Sequence, residues 1–417
     1  MQVRGRIQSL FGHRVLRSSA IVFLASTVAN FSGWLYHIVV GRILGPDHYA
    51  ELSALLALFF ILNVFSGVIQ TVLVRFFSIL KARQSYGEAK QLYWTSTRFI
   101  AFSEIVGLFV MLPLIPSISS FLHIGNFWYF VWVYLIFATT TIGIVNGAAL
   151  QGFQRFIPFS LFANIGMVLR LMTGAIFAFL GVGWTLVANV IANVVSYFLY
   201  FLPLSFLLQH KVKPLTITKS HAARYGVPVL LATLGITVMN SQDILLVKHY
   251  FSSYEAGIYS SLSVLGKVIF YASSAVGFVL FPIVAEKSEL RADSRRSVTL
   301  GLLVVGMVSA VITAGYFLFP SIAILPFGAA FAPAAPYVGL FGIFVTMYTM
   351  ATMLLNILLA MGKASVWILP VVAAAFQTIL IVFLHQSIYD IIWINFAAAA
   401  LLGVVLFFSY RYATTRH

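Results

Sequence analysis

Runs of apolar residues about twenty long, separated by short polar segments, recur from one end of the chain to the other. A helix rising 1.5 Å per residue needs ~20 such residues to cross the ~30 Å hydrocarbon core of a bilayer. The pattern predicts twelve membrane-spanning helices, at roughly 18–40, 51–74, 95–115, 127–149, 158–181, 184–208, 225–247, 256–280, 297–319, 337–359, 367–385 and 390–409. No connecting segment exceeds about twenty residues, so the chain offers no room for a separate soluble domain. The N-terminal arm, residues 1–17 with Arg4, Arg6, Arg14 and Arg17, leads into an apolar segment too long for a cleavable signal. The expected fold class is an all-α polytopic membrane protein.

Composition agrees with the pattern. Hydrophobic residues are 61% of the chain and charged residues 8%, with mean hydropathy +1.00. A soluble domain needs roughly a quarter of its residues charged. Cysteine is absent, which excludes disulfides, iron–sulfur clusters and thiolate zinc sites. The net charge of +15 raises the question of nucleic acid. Its distribution answers that question. With twelve spans and a cytoplasmic N-terminus, only Arg42 and Lys248 fall in outer loops, and only Arg170 and Lys267 within spans. The other twenty-one of the 25 Lys and Arg fall on the inner side, including Lys211, Lys213, Lys219 and Arg224 of a basic linker at 209–224. Such an asymmetry is the signature of membrane insertion, and it places both termini, including the tail 410–417, in the cytoplasm. No Gly-rich phosphate loop appears, so ATP is not a direct fuel and no cofactor is implied.

An internal repeat is visible. Residues 44–55 (LGPDHYAELSAL) align with 251–262 (FSSYEAGIYSSL), and 146–152 (NGAALQG) with 356–362 (NILLAMG), at offsets of 207 and 210. The two matches fall at equivalent span positions. They predict two six-helix lobes, 18–208 and 225–409, related by a pseudo-two-fold axis along the membrane normal.

Asn30 followed by GRILGPDHYAELSAL (41–55), LQGFQRF (150–156), SQDILLVKHYFSSYEAGIYSSLSVLGKV (241–268), LFPIVAEKSE (280–289) and PFGAAFAPAAP (326–336) occur in that order. Together they resemble the polysaccharide transporter and O-antigen flippase family. That family belongs to a larger group with the multidrug and toxin extrusion transporters and the lipid II flippases. Lipid II flippases usually carry fourteen spans, so twelve argue against that branch. The resemblance implies a cell-membrane protein that moves a polyprenyl-pyrophosphate-linked oligosaccharide from the cytoplasmic to the outer leaflet by alternating access, the lipid tail staying in the bilayer.

Polar residues inside the spans are the candidate chemistry. A charge at the bilayer centre costs ~2.5–3.5 kcal/mol on insertion scales, so buried charges are paired, solvated or functional. Arg170 and Lys267 lie near mid-depth in spans 5 and 8, one in each half, where a cavity-lining role would bring cations to a pyrophosphate. Alternatively Arg170 is neutralised by Glu104 of span 3. Glu104 and Asp243 are carboxylates able to relay H⁺ or hold Na⁺, although Glu104 reads equally as a partner of Arg170, and Asp243 reads better as a helix-end residue paired with Lys248. His37 reads as an interfacial residue at the outer end of span 1. Asn30, Asn240 and Gln242 either bond between helices or touch sugar hydroxyls. Some of the many aromatic side chains would stack on sugars, but the sequence does not pick them out.

Two other functions compete. A multidrug and toxin extrusion antiporter would share the fold, yet cationic drugs call for acidic or aromatic cavities, and the two deepest charges are basic. A membrane polymerase or glycosyltransferase would need a large outer loop or paired carboxylates, which the chain lacks.

Overall fold

The computed structural model describes residues 2–215, 222–289 and 295–415; the side chains of 2–23, 222–229, 274–283, 285–289, 364 and 414–415 lie outside that description. Of the basic residues counted above, Arg4, Arg6, Arg14, Arg17, Lys219, Arg224, Lys287, Arg291 and Arg416 fall outside the described side chains.

The described residues form helices and no strand. In chain order they are α1 (Gln2–Ala82), α2 (Tyr86–Met111), α3 (Ile115–Leu122), α4 (Phe127–Gly152), α5 (Phe156–Ala178), α6 (Val182–Leu199) and α7 (Phe201–Leu208). There follow α8 (Ala222–Met239), α9 (Gln242–Tyr250), α10 (Ser253–Glu289), α11 (Arg295–Leu318), α12 (Pro320–Ile324), α13 (Ala335–Ala360), α14 (Ile368–Phe383) and α15 (Ile388–Thr415). Each predicted span falls largely on helix. Ten helical stretches among the described residues are long and apolar enough to cross a membrane. The first of these, Leu24–Ala82, contains two predicted spans, and α10 carries the predicted span 256–280 outside the ten. Lipid-facing rows are plain on several helices: Phe99, Phe102 and Phe109 of α2 are all more than 60% exposed. A hydrophobic side chain so exposed on a helix of this length is solvated by acyl chains.

Two details depart from the sequence reading. Span 7 was expected to be continuous over 225–247; it breaks at Asn240 and Ser241 into α8 and α9, with Ser241 outside helical geometry at φ −132°. Four consecutive polar residues, Asn240 to Asp243, interrupt the apolar run there, and their side chains compete for backbone groups. Spans 1 and 2 join with no loop between them, the chain staying helical on both sides of a bend at Gly45. Gly45 has φ +74° and ψ 171°, which a residue without a Cβ adopts at no steric cost. Pro46 then opens the second arm, where its missing N–H removes no helical bond.

By internal packing the chain divides into two units. One comprises Met1–Tyr36, Phe65–Ile115 and Val131–Lys219; the other comprises His37–Val64, Pro116–Phe130 and Ser220–His417. In the second unit three of the segments quoted above for the family resemblance meet. Gly257 of α10 sits so close to the bend that an added Cβ would collide with the Pro46 carbonyl. Tyr49 is fully buried, its ring 6.0 Å from both Phe327 and Phe331. His37 is buried, with Nδ1 3.1 Å from the Tyr49 hydroxyl. Residues of 41–55 and 326–336 therefore share an aromatic cluster, and 251–262 packs against the bend beside it.

Candidate functional site

Arg170 lies two-thirds of the way along α5, half-buried. Gly174, one turn later on the same face, lets the Tyr36 ring of α1 pack directly against the α5 backbone. The ring therefore lies under the guanidinium, with Arg170 Cζ 4.6 Å from its centroid. Tyr36 is held in turn by Asn189 of α6, whose Nδ2 donates to the phenolic oxygen at 2.8 Å. Stacking of this kind is worth ~0.5–2 kcal/mol and satisfies the face of the cation, not its N–H edges. Arg170 Nε is buried without a hydrogen-bond partner, and so is the Asn189 Oδ1 acceptor. Among the described residues no carboxylate pairs with Arg170.

The alternative Arg170–Glu104 pair does not form among the described residues. Glu104 is half-buried on α2, where the Tyr134 hydroxyl donates to its Oε2 at 2.9 Å and to its backbone carbonyl at 2.8 Å. Lys267, half-buried on α10, places Nζ 5.2 Å from the Phe60 ring centroid of α1. Each deep cation thus rests on an aromatic face supplied by α1, one ring in each packing unit. Asn30 and Asn240 are half-buried and make no side-chain hydrogen bond among the described residues.

Asp243 is the second residue of α9, just after the break, and is 2% exposed. Its Oδ2 accepts from the Tyr259 hydroxyl at 2.5 Å and from Asn395 Nδ2 at 3.0 Å, and its Oδ1 from the Ile244 N–H at 2.9 Å. Gln377 Nε2 donates to Asn395 Oδ1 at 2.6 Å, Gln242 Nε2 to Gln377 Oε1 at 2.9 Å, and Thr378 Oγ1 to Gln242 Oε1 at 2.7 Å. The result is a polar network across α9, α10, α14 and α15, built around a carboxylate with no cation among its partners. The expected Asp243–Lys248 pair is not made: Lys248 donates to Ser253 Oγ at 3.0 Å and its charge faces Glu51 and Asp47. Buried polar groups are costly unless satisfied, and here every polar atom of Gln377 and Asn395 that the network uses has a partner. Tyr36, Tyr259, Gln377 and Asn395 were not singled out from sequence. Gln377 and Asn395 carried a legible signal, each being a lone amide inside an apolar run. The two tyrosines carried none among so many aromatics. Among the described residues no group of three or more His, Asp or Glu is placed to hold a metal ion.

The family model described as polysaccharide biosynthesis protein matches residues 39–336. No curated protein matches the chain in sequence. Solved structures do match in fold. An inward-facing multidrug resistance transporter of the multidrug and toxin extrusion type superposes with TM-score 0.72 at 14% identity, covering 92% of this chain and 94% of that one. The lipid II flippase MurJ in an inward closed conformation gives TM-score 0.72 at 13% identity, with coverage of 94% and 87%. The transporter DinF-BH, solved with R6G, gives 0.68 at 17%, covering 95% of each chain. At these identities the likeness establishes the fold, a polytopic helical architecture shared by drug transporters and a lipid flippase.

Proposed function

This chain belongs to the polysaccharide biosynthesis protein family, and from that premise we propose that it carries a polyprenyl-pyrophosphate-linked oligosaccharide from the cytoplasmic to the outer leaflet of the cell membrane. In this reading it is a multi-pass membrane transporter and not an enzyme. In this reading both termini are cytoplasmic, and 18–208 and 225–409 are the lobes whose motion alternates access.

The observation that carries the proposal is Arg170. A guanidinium within a span, stacked on Tyr36 and lacking a carboxylate among its described partners, is a cation waiting for an anion. A pyrophosphate meets it through charge-assisted hydrogen bonds that a planar fork is shaped to make. An organic cation would meet repulsion at the same place. MurJ, a lipid II flippase, shares the fold, so this architecture is able to carry a lipid-linked glycan.

Asp243 takes the role of the coupling-ion site, for H⁺ or Na⁺. Its carboxylate is sealed in the membrane body with a phenol and an amide but no cationic partner, so protonation or a bound Na⁺ would supply the missing positive charge. Glu104, already held by Tyr134, is the weaker candidate.

Transport is tested in proteoliposomes carrying a fluorescent undecaprenyl-pyrophosphate glycan, with an impermeant glycosidase added outside. The protein is expected to expose inner-leaflet glycolipid that protein-free vesicles keep protected. Identical protection with and without protein would contradict the proposal.

A further inference from the structure

On the unit containing α4, α5 and α6, an open pocket of about 190 Å³ has a lining unlike that of the Arg170 site. Amides and hydroxyls come from Gln70, Thr140, Asn193 and Ser196, and ring surface from Phe159 and Tyr197. No Lys, Arg, His, Asp or Glu lines it. Asn193 Nδ2 donates to Thr140 Oγ1 at 2.9 Å and to Thr139 Oγ1 at 3.2 Å, which fixes that wall. The Gln70 side-chain amide is half-buried and makes no hydrogen bond among the described residues, so its donors and acceptor are left for an occupant. Gly143 of α4 also lines it, and an added Cβ there would meet nothing within 4 Å. The helix there presents bare backbone to empty space.

We propose that this pocket binds one neutral sugar ring of the transported glycan. The proposal rests on the flippase reading and deepens it, separating the place that reads the sugar from the cation that reads the pyrophosphate. Sugars present hydroxyls that both donate and accept, and flat C–H faces that pack on aromatic rings; amides, hydroxyls and the rings of the lining answer both needs. An acyl chain would strand the Gln70 amide, and a uronic acid would bring a carboxylate to a wall without a cation. The volume sits below the ~300 Å³ of the smallest drug-sized pockets, room for a single ring and not for an oligosaccharide.

The test measures binding of undecaprenyl pyrophosphate and of its glucosyl and glucuronosyl derivatives to the full-length protein, wild type, Gly143→Leu and Gln70→Ala. Glucosyl lipid is expected to bind wild type about tenfold more tightly than the sugar-free lipid, a difference of ~1.4 kcal/mol. Glucuronosyl lipid is expected to gain nothing. Gly143→Leu fills open space and leaves the sugar-free affinity unchanged while erasing the glucosyl advantage. Gln70→Ala, which breaks no native hydrogen bond and keeps the test open if the larger residue misfolds, reduces that advantage. Equal affinity of wild type for glucosyl and sugar-free lipid overturns the pocket and leaves the flippase reading intact. So does a glucosyl advantage that both variants retain. Failure of wild type to bind any of the three lipids overturns the flippase reading and the pocket with it.

Discussion

Replacing Arg170 with alanine is expected to weaken binding of a polyprenyl-pyrophosphate glycan by about tenfold to a hundredfold while the protein stays folded. Hydrogen bonds to charged groups contribute ~1.5–3 kcal/mol each, and a tenfold change in affinity is ~1.4 kcal/mol. The fold should survive because Arg170 makes no ion pair whose partner would be orphaned. What is lost is its stacking on Tyr36, ~0.5–2 kcal/mol. Arg170→Lys keeps the charge but gives up the planar fork and is expected to restore only part of the affinity. Titration of the purified variants with the glycolipid reads both effects. Wild-type affinity in the alanine variant would remove Arg170 from the substrate path.

Asp243 separates stability from coupling. Asp243→Ala leaves the Tyr259 hydroxyl and the Ile244 N–H without their acceptor in a sealed interior. Each orphaned buried group costs ~1–3 kcal/mol, so a total of about 2–6 kcal/mol and a clear fall in Tm are expected. Asp243→Asn preserves the shape and an acceptor oxygen while deleting the ionisable group. It is expected to keep most of the stability and to lose the dependence of transport on an imposed H⁺ or Na⁺ gradient. Transport by Asp243→Asn with the wild-type ion dependence would dismiss Asp243 as the coupling site.

The spans were legible because a membrane helix is written as uninterrupted apolar length, a local property that needs no knowledge of partners. The candidate residues were legible for the same reason: a charge or amide inside such a run stands out, as Arg170, Lys267 and Asp243 do. Their partners were not. Asp243 and Asn395 are 152 residues apart in sequence, and Tyr36 and Asn189 are 153 apart. Charge alone suggested pairing Asp243 with Lys248 and offered Glu104 as an alternative partner for Arg170. Packing instead gave the arginine an aromatic ring, the aspartate a phenol and an amide, and Glu104 the Tyr134 hydroxyl. The break at Asn240 and Ser241 was written as four adjacent polar residues, and what it signifies appears only once α14 and α15 are seen to close over it. The bend at Gly45 was legible as glycine and proline, but not that helix continues on both sides.

The central claim is that the cargo is an anionic glycolipid and not an organic cation. The most direct measurement is a thermal-shift panel on detergent-purified wild type, setting an undecaprenyl-pyrophosphate glycan against a series of organic cations. A ligand that prefers the folded state raises its stability by RT ln(1 + [L]/Kd), ~2.7 kcal/mol at a hundredfold excess over Kd. The account predicts that the glycolipid raises Tm and the cations do not. A rise with cations alone would contradict it and make the chain a drug antiporter built on the same fold.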